Sequence, residues 1–212
     1  MHSTRVIKHA VLVRIAIAAV CSALYFVLCS YATIKIPNIN LHITFAPLVI
    51  IVVAALYGPL DATAVAFIGA FLDQAVGPYG LTPTTLLWCV PHMARGLLIG
   101  IFALIMFRKK YYCEDKKALF IIVCSVVALI VAVLNTGAIA VDAIIFDYYT
   151  HSLVFASLAA RLVLGVVTSA VLSVVAYPVI KALRAAGFGR VIPEEQNNTE
   201  QTDSNEWDNT KS

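Results

Sequence analysis

Three ionisable residues, Asp73, Arg95 and Arg161, interrupt long apolar stretches of this sequence. Inside hydrocarbon a charged group has to be offset by a partner or a ligand, so each marks a place where function concentrates. A guanidinium holds a carboxylate through two parallel N–H···O bonds. Two of them at similar depth suit an anionic ligand; pairing of Asp73 with one arginine inside the protein is the alternative. Trp88, His92 and Asn135 fall at compatible depths, with Tyr79, Tyr148, Tyr149 and His151 toward one rim. In that arrangement Asp73, Asn135 or Asp147 bonds the polar head of a ligand, and Trp88, Tyr79 and Tyr148 cover it. The rim tyrosines equally fit an aromatic belt at a membrane interface, and Asn135 equally fits an interhelical hydrogen bond. Pro91 removes a backbone donor and displaces the carbonyl of Leu87, kinking the chain one turn before Arg95.

Catalytic patterns are missing. The sequence has no Gly-rich phosphate loop, no GxSxG, no HExxH and no paired carboxylates on a helix, so an enzyme is not expected. His42, His92 and His151 are scattered. The five cysteines form no CxxC pair, which leaves them as small buried hydrophobes rather than metal ligands or disulfides.

The elements that must position these residues are membrane helices. Of 212 residues 61% are hydrophobic and only 13% charged, whereas soluble domains run near 45–50% and 25%. A bilayer span needs roughly 20 apolar residues, and the hydropathy pattern predicts six helices, at 11–31, 43–57, 60–76, 82–107, 118–141 and 153–183. The first is too long for a signal-peptide core and reads as a retained span. Pro37 and its flanking Asn and Ile residues form a loop or short extended piece. Gly58-Pro59 turns the chain, and Thr82 with Pro83 serves as a cap and first turn for the fourth helix. Arg95 then lies about 18 Å and Arg161 about 12 Å along their helices from the same membrane face.

Ten Lys and Arg fall in the termini and in the loops after the second and fourth helices, against Lys35 alone in the other loops. The positive-inside rule therefore places both termini in the cytoplasm, and the basic excess reports orientation rather than nucleic-acid binding. Residues 1–192 read as one six-helix transmembrane domain. Residues 193–212, with six acidic groups and one Lys, read as a disordered cytoplasmic tail. The fold class is all-α, a polytopic membrane protein. On the first helix Ala19 and Ala23, with Ala16 and Ser22 nearby, make a small-xxx-small stripe that admits close approach of another helix, in this chain or another protein.

The run IKIPNINLHITFAPLVIIVVAALYGPLDATAVAFIGAFLDQAVGPYGLTPTT, followed by RGLLIG (95–100) and LNT (134–136), resembles the substrate-binding S components of energy-coupling-factor (ECF) vitamin transporters, over about residues 10–185. The folate and pantothenate branches are the most similar. The resemblance implies a six-helix subunit of the prokaryotic plasma membrane that binds a vitamin from outside and reorients to deliver it inward, folate first and pantothenate second. It implies a transmembrane T component as partner, contacted through Ala16, Ala19 and Ala23, and two cytoplasmic ATPases that use the ATP; no cofactor or metal is expected in this chain. Outer segments 33–42 and 77–82 correspond to lids. Asp61 departs from the pattern, standing where small apolar residues are commoner. The rivals are a structural membrane partner of the rod-shape or assembly type, which would bind no small molecule, and a membrane enzyme.

Overall fold

A computed structural model describes residues 2–36, 41–77, 80–147 and 158–189. Six α-helices occur among them: α1 (His2–Tyr31), α2 (Pro47–Tyr57), α3 (Pro59–Val76), α4 (Thr85–Arg108), α5 (Lys117–Ile145) and α6 (Leu158–Ala185). All except α2 hold an apolar stretch long enough to cross a membrane. Strands β1 (Thr33–Ile36) and β2 (Leu41–Thr44) form an antiparallel hairpin between α1 and α2, with Thr33 opposite Thr44. A 3-10 turn, Cys113–Lys116, precedes α5.

The hairpin revises the predicted second helix, which was expected from residue 43. Ile43 and Thr44 pair with Ile34 and Thr33 instead, because β-branched residues lose less in an extended pair than in a helix. Helix α2 starts where Pro47 supplies a preset φ at its first position. It ends at Gly58, whose φ of 91° only glycine adopts freely, and Pro59 opens α3 directly. The expected Gly-Pro turn is there. At 11 residues, α2 reaches only about 16 Å.

Two more boundaries moved. Helix α4 begins at Thr85, with Thr84 rather than Thr82 at the cap position. Thr82 donates its backbone N–H to the Thr85 hydroxyl at 2.8 Å and so sits in the turn. Helix α5 runs one turn past residue 141, which carries Asp142 into the helix instead of the following loop. Residues 153–157 of the expected sixth helix, and the tail from residue 193, lie outside the described residues.

Packing follows residue size. Helix α3 presents Ala62, Ala66, Gly69 and Ala70, all buried. The fully buried Tyr25 ring of α1 lies on Gly69, where an added methyl would collide with it. On the other flank α4 offers Gly96, whose Cβ would stand 2.7 Å from the Ala62 carbonyl oxygen, and Gly100 presses on Pro59. Backbone therefore meets backbone between α3 and α4. Helix α2 packs on α3, α4 and α6, and α5 packs on α4 and α6. Helix α1 leans on α3 through Ala18, Tyr25 and Cys29 and leaves Ala16, Ala19 and Ala23 exposed. Many large apolar side chains face outward, Val20, Ile122 and Val163 among them, as lipid contact requires. At the end of the bundle that holds the α2–α3 turn, Arg14 of α1 and Asp61 of α3 form an ion pair at 2.5 Å.

Candidate functional site

Helix periodicity collects the polar residues. On α4, Trp88, His92, Arg95 and Ile99 recur at steps of four, three and four, which is one face of a helix. On α5 the same rule aligns Cys124, Ala128, Val131, Asn135, Ala138 and Asp142. The two stripes join near the end of α5. There the buried Asp142 accepts a hydrogen bond from the Thr84 hydroxyl at 2.5 Å and another from the Trp88 indole N–H at 3.3 Å, both on Oδ1.

One turn further along α4, His92 Nδ1 lies 2.8 Å from the Tyr25 hydroxyl, and the two rings meet edge to face with centroids 5.9 Å apart. One more turn brings Arg95, half-buried, within electrostatic reach of Tyr25 and Cys29 on α1 and Cys124 on α5. Arg95 therefore points between α1 and α5. It forms no hydrogen bond or ion pair with any described residue. Asp73 lies beside Ser30 and within reach of Tyr25 and Cys29, and it pairs with neither arginine.

The position of Arg161 follows from the α5–α6 register. Ser169 donates to the Cys124 carbonyl at 2.9 Å, and a Cβ on Gly165 would lie 3.9 Å from the Ala128 carbonyl. Continuing that antiparallel pairing places Arg161 opposite Ala132, with Asn135 about 4.5 Å further along the axis. Its Nη1 is buried with no hydrogen-bond partner among the described residues. Arg95 and Arg161 thus reach the bundle interior within roughly two turns of α5. An orphaned guanidinium nitrogen in such a place calls for an acceptor beyond the described residues, as a ligand would supply.

Of the predicted site residues, Trp88 and Arg95 share one face of α4, Asp73 and Arg95 both approach Tyr25 and Cys29 of α1, and Asn135 follows by one turn the α5 residue opposite Arg161. Asp147 stands exposed in the turn after α5 with φ 57°, and Asp142 rather than Asp147 meets Trp88. Tyr79 and Tyr148 lie outside the described residues. Asp142, Thr84 and Tyr25 were missed; Asp142 is seven residues past Asn135, so extending the α5 stripe by two turns would have found it. Asp73 and Asp142 balance the formal charge of Arg95 and Arg161. Among the described residues no group of three His, Cys, Asp or Glu could hold a metal ion.

These polar groups lie within a bundle of helices, five of which are long and apolar enough to cross a membrane. The family model described as "ECF-type riboflavin transporter, S component" matches residues 10–185. The chain belongs to that family, and it is a transport subunit rather than an enzyme. Among solved structures, the S component for biotin from an ECF-type ABC transporter shares its fold, with TM-score 0.56 and 15% identity, covering 82% of this chain and 93% of that one. No curated protein is significantly similar in sequence. The vitamin for which the family is named differs from the folate or pantothenate expected from the sequence.

Proposed function

We propose that this S component captures riboflavin from outside the cell and delivers it inward by reorienting, without covalent chemistry. The observation that supports the reading is the donor set of Arg95, Asn135 and the Arg161 Nη1, the last buried with no hydrogen-bond partner among the described residues, set against the carboxylate of Asp73. A neutral ligand with ring carbonyls to accept and chain hydroxyls to donate answers both halves. The isoalloxazine ring and ribityl chain of riboflavin have that character, Trp88 offers a face for the ring, and the family name agrees. A folate-like or pantothenate-like anion is the second reading, favoured because no described residue puts a counter-charge within hydrogen-bonding distance of either arginine.

Residues 1–192 form the binding domain in this reading, with both termini and the acidic tail 193–212 cytoplasmic. The exposed Ala16, Ala19 and Ala23 face is the surface for a T component, itself coupled to two ATPases. Purified protein titrated with riboflavin, folate, pantothenate and biotin tests the proposal. A bound vitamin raises stability by about 4 kcal/mol at a thousandfold excess over Kd. Arg161→Met should weaken riboflavin about 10–100-fold, the range for one or two charge-assisted hydrogen bonds. Stabilisation by folate or pantothenate but not riboflavin would select the second reading. No shift with any vitamin, and no effect of Arg161→Met, would leave the structural-partner alternative.

A further inference from the structure

The bundle has a second feature, on the far side of Cys124 from Arg95 and one turn along α5 toward its N-terminus. Between α5 and α6, at their Lys- and Arg-rich end, lies a crevice of about 160 Å³ lined by Lys117, Phe120, Ile121, Ser173, Val174 and Tyr177. Its floor is fully buried Phe120 and Ser173. The Ser173 hydroxyl is turned into its own helix, donating to the Ser169 carbonyl at 2.6 Å, so the floor is effectively apolar. An apolar cavity of about this size stays dry and accepts hydrocarbon of benzene dimensions. Val174 on the wall is 56% exposed, so the crevice opens sideways to the acyl chains.

Charge marks its rim. The Lys117 ammonium sits 4.1 Å from the Tyr177 ring centroid, which holds it over the mouth. Lys181, exposed, follows Tyr177 by one helical turn and shares its face. Pro178 lies inside α6 and supplies no N–H to the Val174 carbonyl, which leaves an acceptor on the same wall. Apolar floor, lateral opening, two lysines and a spare carbonyl match an amphiphile with an anionic, hydroxyl-bearing head. Basic pockets between transmembrane helices on the cytoplasmic side bind such headgroups.

We propose that this crevice is a binding site for an anionic phospholipid of the cytoplasmic leaflet, one acyl chain against Phe120 and Ile121 and the phosphate on Lys117 and Lys181. The site is independent of the vitamin reading. Native mass spectrometry of the full chain in neutral detergent, with phosphatidylglycerol or phosphatidylcholine added, tests it. Wild type should retain phosphatidylglycerol several-fold over phosphatidylcholine. Lys117→Gln and Lys181→Gln should each reduce that preference about fivefold, the worth of one lysine near an anionic headgroup. Val174→Phe, which fills the crevice and keeps both lysines, should remove retention of both lipids. Thermal melting verifies that each variant is folded, and Lys181→Gln, outside the crevice wall, stands in should Lys117→Gln fail to fold. Equal retention of the two lipids by wild type would overturn the site. So would a preference that survives both lysine substitutions, or inorganic phosphate stabilising the protein as well as phosphatidylglycerol does.

Discussion

Replacing Asp142 by alanine tests the junction that joins α4 to α5. The carboxylate is 9% exposed and Thr84 is 2% exposed, so water cannot replace what the substitution removes. A hydrogen bond to a charged acceptor contributes about 1.5–3 kcal/mol. The Thr84 bond at 2.5 Å belongs in that range, while the Trp88 bond at 3.3 Å is longer than the usual limit of about 3.2 Å and counts for less. Relief of the buried carboxylate's own desolvation works in the other direction. The net expectation is a loss of about 2–3 kcal/mol, read as a fall of roughly 4–12 °C in melting temperature for a chain of this size. Asp142→Asn keeps an acceptor oxygen and should lose about 1 kcal/mol. The assay is thermal unfolding in detergent, with Thr84→Val completing a double-mutant cycle whose coupling should be about 1–2 kcal/mol. Trp88 emission, followed in a Trp207→Phe background, should shift when its N–H loses the carboxylate. Melting of Asp142→Ala within about a degree of wild type, a difference worth under 0.5 kcal/mol, would refute the reasoning, as would a coupling near zero.

Two further outcomes concern the scaffold. Gly96→Ala places a Cβ 2.7 Å from the Ala62 carbonyl oxygen, a backbone atom that cannot swing aside, and should destabilise by about 1–3 kcal/mol; Gly137→Ala, with nothing within 4 Å, should be neutral or stabilising by up to about 1 kcal/mol. Equal melting of the two variants would contradict the close α3–α4 contact. Asp61→Asn removes the partner of Arg14, but the pair's side chains are 54% and 23% exposed. Its cost should therefore stay within about 1 kcal/mol, and a chemical-unfolding shift well beyond that would show the pair to be deeper than it stands.

The helices were legible because apolar stretches of 18 residues or more have few alternatives to spanning a bilayer. Gly58-Pro59 was legible for a local reason, since a glycine free to take positive φ and a proline suited to a first helical turn leave little choice. The hairpin was half-legible: Ile34, Ile36 and Ile43 alternate as strand residues do, yet Ile43 also continues the apolar run into α2. Arg95 and Arg161 announced themselves as charges in apolar surroundings. Their failure to pair with Asp73 did not, because it depends on which faces of α1, α3 and α4 turn toward one another. Asp142 was misplaced because the polar residues after 141 look like the beginning of a loop, and only the hydrogen bonds from Thr84 and Trp88 make the extra turn worthwhile. The Arg14–Asp61 pair spans 47 residues of sequence, a separation at which spacing carries no signal.

The glycine seam between α3 and α4 decides which half of the molecule can yield. Where main chain rests on main chain there is no layer of side chains to reshuffle, so tilting one helix on the other means a collision or a void. That half is a keel. Helix α1, by contrast, meets α3 through the Tyr25 side chain resting on Gly69, a contact made by side-chain atoms that can re-seat. A cross-link between α3 and α4 should therefore restrict the molecule's movement less than one between α1 and α3.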